Sequence, residues 1–280
     1  MIKMIDVSYC QKGFDFKKAK AAGVEAVMIR AGISTRLDTE FIAHMKNIVK
    51  TDLPYGFYWF SRAFSIAQAK AEAKACIAAI KAYKPAYPIY YDLEDKDQIE
   101  KLTNAERTDI VIAFCEEIKK AGYIAGMYLF PALIEQYLDK SRLIGKYPLW
   151  LAHWTDDEAK PTPYQYGQEI WQWGVIELDG MDVDADIAYK QYKPSETNAT
   201  PPASAAKLKK GKRLTLKNVG LYGGISAKTP VRYLNGTYYL YDGLSFSGFT
   251  RVCPSLANVG KATPTVSANV TGWVKITDIK

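Results

Sequence analysis

The stretch Tyr87-Pro88-Ile89-Tyr90-Tyr91-Asp92-Leu93-Glu94-Asp95 decides how the rest of the chain is interpreted. A short apolar, aromatic run that ends in acidic residues is typical of a buried strand with polar groups at its C-terminal end. Side chains two positions apart on a strand point to the same face, so Asp92 and Glu94 are predicted to share one side, with Tyr90 beneath them. Two carboxyl groups in such surroundings should have their pKa values pushed apart, so that one stays protonated and the other stays charged. A strand that runs into an acidic, solvated loop would show the same residues.

Short apolar runs of this kind alternate with amphipathic stretches through residues 1–190. The runs predicted as strands are residues 2–8, 26–31, 54–60, 87–93, 124–130, 148–154, 169–173 and 181–185. The stretches predicted as helices are residues 15–22, 38–50, 66–83, 104–121 and 131–143. Repeated strand–helix units predict a parallel sheet covered by helices, and about eight strands close into a βα-barrel. Because the later connections are too short for full helices, the barrel is predicted to be irregular and TIM-barrel-like.

Acidic and aromatic residues lie at the C-terminal ends of nearly all the predicted strands. Barrel enzymes work at the C-terminal ends of their strands, so these side chains are predicted to meet in one groove. The four candidate acids are Asp6, Asp92, Glu94 and Asp184. Carboxylate pairs beside aromatic faces are typical of glycoside hydrolases. In these enzymes one acid protonates the leaving oxygen and another assists the anomeric centre. Asp6 and Asp184 could instead cap strand ends, and the tryptophans, Trp59 above all, could fill the core.

Other site chemistries fit the sequence poorly. The run Asp182-Val183-Asp184-Ala185-Asp186 begins like a calcium loop but lacks the glycine and the later glutamate of such a loop, so no metal site is predicted. His44 is predicted on a helix surface, and His153 is predicted to pack in a strand. The sequence contains no Gly-x-Ser-x-Gly elbow, P-loop or Gly-x-Gly-x-x-Gly motif, and no cofactor is predicted.

Charge divides the 280-residue chain unevenly. Residues 207–280 carry twelve Lys or Arg and two acids, a formal charge of +10, whereas residues 1–206 carry −3. Between them, residues 192–206 are rich in Pro, Ser, Thr and Ala, which predicts a linker. The region 207–280 is predicted as a small all-β, SH3-like domain with a hairpin turn at Asn235-Gly236. A basic domain of this kind is predicted to dock on something anionic.

Several further expectations concern compartment and partners. The four scattered cysteines predict buried free thiols in a chain made in a reducing cytoplasm, with a long-range disulfide as the alternative. No apolar run is long enough to span a membrane, and the N-terminus does not resemble a signal peptide. Nucleic-acid binding is not predicted, because the basic residues form no helix with interleaved aromatic residues. The sequence does not determine the oligomeric state.

With these residues in view, the chain resembles glycoside hydrolase family 25, the Chalaropsis-type lysozymes found among phage endolysins of Gram-positive hosts. The resemblance covers residues 1 to about 190 and depends on seven motifs in the right order. They are Ile5-Asp6-Val7-Ser8, Val27-Met28-Ile29-Arg30-Ala31-Gly32, Gly56-Phe57-Tyr58-Trp59-Phe60-Ser61, Ile89-Tyr90-Tyr91-Asp92-Leu93-Glu94, Trp150-Leu151-Ala152-His153-Trp154, Ile170-Trp171-Gln172-Trp173 and Val183-Asp184. Many relatives continue the second motif as Lys-Ala-Thr-Glu-Gly, whereas this chain has Arg30-Ala31-Gly32-Ile33, which lacks that glutamate.

The resemblance implies a flattened, irregular βα-barrel at 1–191 that cleaves the bond between N-acetylmuramic acid and N-acetylglucosamine in peptidoglycan. It places the proton donor at Glu94 and its partner acid at Asp92, which would act on the anomeric centre or on the substrate's acetamido group. Asp6 and Asp184 correspond to the other acids of the groove, and the implied sugar contacts are Tyr58, Tyr128, Trp154 and Gln172. The basic region 207–280 resembles wall-anchoring modules that bind anionic Gram-positive wall polymers. The implied endolysin is made in the host cytoplasm and reaches the wall after holin-type release.

Two other interpretations remain open on the sequence. One is a glycosidase that acts on another N-acetylglucosamine polymer, as a chitinase does. The other is a carbohydrate-binding protein without catalytic activity, although the four acids present speak against it.

Overall fold

The computed structural model describes residues 1–192, 208–224, 227–246, 249–261 and 269–279. It divides into two compact units, Met1–Ala199 and Thr200–Lys280. The predicted domain boundaries at 191 and 207 remain predictions, since nearly all of the expected linker lies outside the described residues. Among the described residues, no helix is both long and apolar enough to cross a bilayer.

Nine strands form the sheet of the first unit. They are β1 (Ile2–Val7), β2 (Ala26–Ile33), β3 (Arg36–Leu37), β4 (Tyr55–Phe60), β5 (Ile89–Asp92), β6 (Ala125–Leu129), β7 (Leu149–Ala152), β8 (Ile170–Leu178) and β9 (Met181–Ala188). Eight of them close a ring in the order β1-β9-β8-β7-β6-β5-β4-β2, because β1 also pairs with β2, while the short β3 extends from β2. The predicted βα-barrel is confirmed.

One part of the barrel differs from the predicted parallel sheet. Strand β9 runs antiparallel to both of its neighbours, β8 and β1. The tight turn Asp179-Gly180, with φ of 54° and 74°, joins β8 to β9 directly. Positive φ at both central residues is the geometry of a type I′ hairpin, for which Asp-Gly is a preferred sequence. This hairpin replaces the last strand–helix unit and is one source of the irregularity of the barrel.

The helices cover the outside of the barrel. They are α1 (Phe16–Ala21), α2 (Phe41–Ile48), α3 (Ile66–Ile80), α4 (Lys96–Lys101) and α5 (Asn104–Lys120). Gly23 and Gly122 follow α1 and α5 with φ of 96° and 87°, the left-handed geometry that glycine adopts readily just after a helix. The predicted helix at 131–143 is instead a π-helical turn, Leu133–Tyr137, and a 3-10 turn, Lys140–Arg142. The helix α4 was not predicted.

Two apolar layers separate the outside of the barrel from its inside. The larger layer lies between strands and helices and includes Trp59, which is 1% exposed and confirms its predicted core position. The smaller layer fills the inside of the barrel and centres on Trp150, Tyr90 and Tyr58. A Cβ at position 126 would lie 2.5 Å from the Tyr90 ring, so only glycine leaves room for that ring. Small and aromatic residues together close the inside of the barrel beneath its mouth.

Among the predictions for the histidines and cysteines, those for His44 and Cys10 are wrong. His153 packs edge-on against Tyr164, with ring centroids 5.0 Å apart, as predicted. His44 was predicted on the surface, but it is buried against Phe16 and its Nε2 lies 2.9 Å from the Gln11 carbonyl oxygen. It lies on the face of α2 that covers the barrel, so the helical pattern was assigned the wrong face. All four cysteines are free; three are buried as predicted, whereas Cys10 is exposed.

The second unit contains a four-stranded antiparallel sheet, as predicted for a small all-β domain. Its strands are β10 (Arg213–Leu221), β11 (Arg232–Phe246), β12 (Phe249–Cys253) and β13 (Gly272–Lys275), with 3-10 turns at Leu256–Asn258 and Ile276–Asp278. The predicted hairpin turn at Asn235-Gly236 is wrong, because both residues lie inside the continuous strand β11. There the Asn235 Oδ1 accepts a hydrogen bond of 2.9 Å from the Asn218 amide, at a bulge between β10 and β11.

Candidate active site

A cleft of about 140 Å³ opens at the mouth of the barrel, where the parallel strands end. The four predicted acids, Asp6, Asp92, Glu94 and Asp184, all line it, although they come from three separate stretches of the chain. The other lining residues are Ser8, Arg30, Tyr58, Phe60, Tyr128, Trp150 and Gln172. The structure therefore brings the candidate acids together among aromatic and amide side chains. Their catalytic roles remain predictions.

Asp6 lies at the centre of a buried hydrogen-bond network. Its Oδ1 accepts from the Tyr58 hydroxyl at 3.2 Å, and its Oδ2 accepts from the Gln172 Nε2 at 2.9 Å. Burial raises the pKa of Asp6 well above its ordinary value, and the nearby charge of Asp184 raises it further, while the two hydrogen bonds oppose the shift. The network fixes the orientation of this carboxyl group.

Asp92 and Glu94 differ in their surroundings. Asp92 ends β5 and is 3% exposed, whereas Glu94 lies two residues later and its side chain is exposed at the edge of the cleft. Burial, followed by the charges of Glu94 and Asp6, raises the pKa of Asp92 well above its ordinary value. Enclosure in the cleft and the charge of Asp184 raise the pKa of Glu94 as well. The pair therefore shares one direction of shift, with the more buried member shifted most strongly.

Asp92 also has an unused acceptor. Its Oδ1 is buried and has no hydrogen-bond partner among the described residues. A buried polar atom normally has a partner, and leaving one unpaired costs about 1–3 kcal/mol. Asp92 also lines the cleft, so the unpaired oxygen belongs to a residue of the site.

Arg30 is the one cationic side chain among the described residues that line the cleft. Its Nε donates to the buried Asp38 Oδ2 at 2.7 Å, and its guanidinium lies 4.6 Å from the centroid of the Tyr9 ring. The positive charge lowers the pKa values of Asp92 and Glu94 and so opposes part of the shift that burial causes. Arg30 thereby limits the like-charge repulsion between Asp92 and Glu94.

Asp184 reaches the cleft from the antiparallel strand β9, directly opposite Asp6 on β1. It therefore does not follow the C-terminal end of a parallel strand, as the predicted parallel sheet would require. Burial raises the pKa of Asp184. Asp186 lies two residues further along the same face, is 1% exposed and was not predicted as part of the site. The alternation Asp184-Ala185-Asp186 was the available signal, because residues two apart on a strand share a face.

Three of the four predicted sugar contacts line the cleft, and the fourth is joined to them by a hydrogen bond. The Tyr128 hydroxyl donates to the Gln172 Oε1 at 3.0 Å, and the Trp154 Nε1 donates to the same oxygen at 2.8 Å. Tyr58, Tyr128 and Gln172 line the cleft, whereas Trp154 lies outside its lining and is 52% exposed. An exposed indole fixed by its N–H presents an aromatic face of the kind on which sugar rings stack.

Comparison with known proteins gives consistent results. The model of the family "Glycosyl hydrolases family 25" matches residues 5–176. A protein of Streptococcus phage B30 named D-alanyl-L-alanine endopeptidase is 29% identical over 162 residues, which cover 57% of this chain and 35% of that protein. The modular autolysin LytC of Streptococcus pneumoniae, solved with a synthetic peptidoglycan ligand, is 27% identical with a TM-score of 0.59 and covers 67% of this chain and 46% of its own.

A family 25 glycosyl hydrolase of Bacillus anthracis has the same fold, with a TM-score of 0.58 at 19% identity over 68% of this chain and 90% of its own. The chain spans less than half the length of the phage B30 protein and of the autolysin. The match of the family model covers more than half of the chain and includes three of the four acids of the cleft. The chain belongs to glycosyl hydrolase family 25.

Proposed function

We propose that the chain is an endolysin-type muramidase, which hydrolyses the β-1,4 bond between N-acetylmuramic acid and N-acetylglucosamine in bacterial peptidoglycan. The observation that carries this proposal is the convergence of Asp6, Asp92, Glu94 and Asp184 in one aromatic-lined cleft of a family 25 barrel. The autolysin with which the chain shares 27% identity was solved with a synthetic peptidoglycan ligand, which supports the same class of substrate. The proposed substrate places the action of the protein at the bacterial cell wall.

Glu94 is the proton donor in this proposal. A donor must be protonated near the working pH and must reach the glycosidic oxygen. The pKa of Glu94 is raised by its enclosure in the cleft and by Asp184, which favours the protonated form. Its side chain is exposed at the edge of the cleft, where a polymer chain would lie. Glu94 therefore combines a raised pKa with access to a bound polymer.

Asp92 acts as the partner acid through its unpaired oxygen. A rotation of the Asp92 side chain towards a bound sugar would let its buried Oδ1 accept a hydrogen bond from the acetamido N–H of the sugar whose bond is broken. Such a bond stabilises the carboxylate form and turns the acetamido oxygen towards the anomeric carbon. Asp6 and Asp184 add negative charge beside the positive charge that develops on the sugar ring. The hydrogen bonds from Tyr58 and Gln172 hold Asp6 in place for this role.

The test is hydrolysis of purified cell walls by the full chain and by Glu94→Gln. We expect the substitution to lower the rate roughly 10²- to 10⁴-fold, the usual contribution of a general acid, with unchanged thermal unfolding. Glu100→Gln is the matched control, because Glu100 is an exposed glutamate on the adjacent helix α4. Full activity of Glu94→Gln would contradict the assignment of the proton donor.

Product analysis separates the proposed reaction from its alternatives. A muramidase leaves N-acetylmuramic acid at each new reducing end. Release of amino groups without new reducing ends would indicate peptide-bond cleavage, the activity named for the phage B30 protein. Activity on chitin oligomers alone would indicate a different glycosidase, and wall binding without any new end would indicate a binding protein.

The second unit is proposed to anchor the enzyme to an anionic polymer of the Gram-positive wall. Its described sheet exposes several basic side chains on β10 and just before it, including Lys209, Lys212, Arg213 and Lys217. The formal charge of +10 over residues 207–280 supports attraction to such a polymer. Binding that depends on exposed charges should weaken as salt is added.

A further inference from the structure

A single indole closes the barrel beneath the acids of the cleft. Trp150 is 1% exposed, and three tyrosine rings approach it edge-on, with centroid distances of 5.6 Å to Tyr58, 5.6 Å to Tyr90 and 4.7 Å to Tyr128. Edge-on contacts fix the relative orientation of aromatic rings, since each positive ring edge meets a negative ring face. The orientation of Trp150 therefore constrains the tyrosines around it.

Asp186 fixes that indole from below. The Trp150 Nε1 donates to the Asp186 Oδ1 at 2.7 Å. Asp186 is 1% exposed, and its Oδ2 has no hydrogen-bond partner among the described residues. Leaving a carboxyl oxygen unpaired in the core is costly, so Asp186 contributes something that an apolar residue would not. The hydrogen bond to Trp150 is its visible contribution.

Two of the tyrosines connect Trp150 to the acids of the cleft. The Tyr58 hydroxyl donates to Asp6, and the Tyr128 hydroxyl donates to Gln172, whose amide in turn donates to the other oxygen of Asp6. One hydrogen bond on Asp6 comes from Tyr58, which contacts the Trp150 ring directly. The other comes from Gln172, which is held by Tyr128, and Tyr128 contacts the same ring. A rotation of that ring would disturb both.

We propose that Asp186 is a positioning residue of this site: its carboxyl group holds the Trp150 ring, and the ring holds Tyr58 and Tyr128 in the orientation that orders Asp6 and Gln172. The inference rests on the proposed hydrolysis only where its test measures kcat. Asp186 itself lies below the cleft and is not among the residues that line it.

The charges around Asp186 agree with this role. Burial, followed by the charges of Asp6 on β1 and Asp184 on β9, raises the pKa of Asp186 well above its ordinary value. From β5, the Tyr90 hydroxyl adds a further buried polar group that has no partner among the described residues. A neutral carboxyl group at position 186 can still accept a hydrogen bond from the indole N–H. It would add no negative charge to those of Asp6 and Asp184. An asparagine at position 186 reproduces that neutral acceptor.

The experiment compares three variants of the full chain on soluble peptidoglycan fragments. We expect Asp186→Val to lower kcat roughly 10- to 100-fold with KM changed less than about threefold, because misplacement of catalytic groups affects the chemical step. Asp186→Asn should retain a kcat within about threefold of the wild-type value and the pH profile of wild type. Asp182→Asn makes the same chemical change at an exposed position of the same strand and serves as the control.

A second readout does not depend on activity. The indole N–H resonance of Trp150, assigned among six tryptophans by its loss in Trp150→Phe, should move upfield in Asp186→Val and stay in place in Asp186→Asn. The carboxyl titration of Asp6 should shift in Asp186→Val only. Wild-type protein that makes no new reducing ends would contradict the proposed function, and these two NMR signals would still decide the role of Asp186.

Three outcomes would overturn the inference. Wild-type kcat and an unmoved indole resonance in folded Asp186→Val would show that Asp186 positions nothing. Equal loss of kcat in Asp186→Val and Asp186→Asn, with the indole resonance of the asparagine variant in place, would assign the ionised carboxylate to the chemistry instead. If Asp186→Val does not fold, Trp150→Phe removes the same hydrogen bond from the other side; it should lower kcat 10- to 100-fold, and wild-type kcat there would equally overturn the inference.

Discussion

Glu72 illustrates how a single buried residue supports the site from outside the barrel. It is 1% exposed on α3, and its Oε2 accepts from the Tyr91 hydroxyl at 2.6 Å while its Oε1 accepts from the Arg62 amide at 2.9 Å. Tyr91 precedes Asp92, and Arg62 follows β4, so Glu72 ties together two strand ends at the mouth of the barrel. Burial raises the pKa of Glu72 to about 7, against the hydrogen bonds that lower it.

This shift predicts a pH-dependent stability. The folded state holds the proton of Glu72 up to about pH 7, whereas the unfolded chain releases it near 4.5. The stabilisation is therefore complete below pH 4.5 and is lost as the pH rises to about 7, with a total of about 3 kcal/mol at 1.36 kcal/mol per unit. Glu72→Gln mimics the protonated form at every pH. As the pH rises from 4.5 to about 7, the free energy of unfolding of this variant should therefore fall by about 3 kcal/mol less than that of wild type.

Urea unfolding between pH 4.5 and 8 measures the effect. Wild type and the exposed control Glu100→Gln should show the same decline, and Glu72→Gln should be the more stable protein at pH 8. An unchanged slope in Glu72→Gln would show that the carboxyl group does not titrate in this range.

The acids of the cleft show what single residues reveal in a sequence. Asp92 and Glu94 could be found because they stand two apart at the end of an apolar run. Asp186 stands two after Asp184 by the same rule, but a residue beneath a cleft has no motif of its own. The pairing of Tyr58 with Asp6, 52 residues apart, depends on strand register and could not be found from local pattern.

At the scale of elements, the short helix α4 determines where Glu94 lies. Asp95 follows Glu94 directly and caps α4, because its Oδ1 accepts a hydrogen bond from the backbone N–H of Gln98 at 3.3 Å. Its other oxygen forms an ion pair with Arg62. Gln98 in turn donates to the Ser61 hydroxyl at 2.8 Å. The segment that carries Glu94 is thus fixed at both ends, by β5 and by this cap.

Removing the cap should affect both stability and activity. We expect Asp95→Ala to lower the free energy of unfolding by about 1–2 kcal/mol and to lower kcat, because Glu94 loses its fixed neighbour. Thr103→Ala is the matched control: Thr103 caps α5 in a capping box with Glu106, and α5 carries no residue of the cleft. It should cost about 1 kcal/mol and leave kcat unchanged. Equal kcat in the two variants would contradict a positioning role for the cap.

The elements also show why a correct local rule can be applied at the wrong place. Asp179-Gly180 and Asn235-Gly236 are both preferred two-residue turn sequences. The first forms the hairpin that reverses β9, and the second lies within β11, where the bulge at Asn218 uses its side chain. Strand pairing decides between the two, and that is a property of the fold. The eight strands of the ring were predicted from local pattern, whereas the short β3 and the direction of β9 were not.

At the scale of the whole molecule, charge and chemistry are divided between the two units. The acids of the cleft all lie in residues 1–191, whereas residues 207–280 hold a formal charge of +10. An anionic wall should attract the second region, and the effect should be screened, since the Debye length falls from about 10 Å at 0.1 M salt to about 3 Å at 1 M. Binding to walls and hydrolysis of soluble fragments should therefore respond differently to salt.

Charge removal in the second unit provides the sharpest test of this division. Lys209, Lys212 and Lys217 are exposed, and changing all three to Gln should weaken sedimentation with intact walls at low salt. The same change at Lys17, Lys46 and Lys84 of the first unit, which are also exposed, removes an equal charge and should leave binding near wild type. Both triple variants should hydrolyse soluble fragments at the wild-type rate, because none of the six lysines lines the cleft. Equal loss of binding in the two variants would mean that net charge alone attracts the protein to the wall. Unchanged binding in both would contradict the proposed role of these lysines.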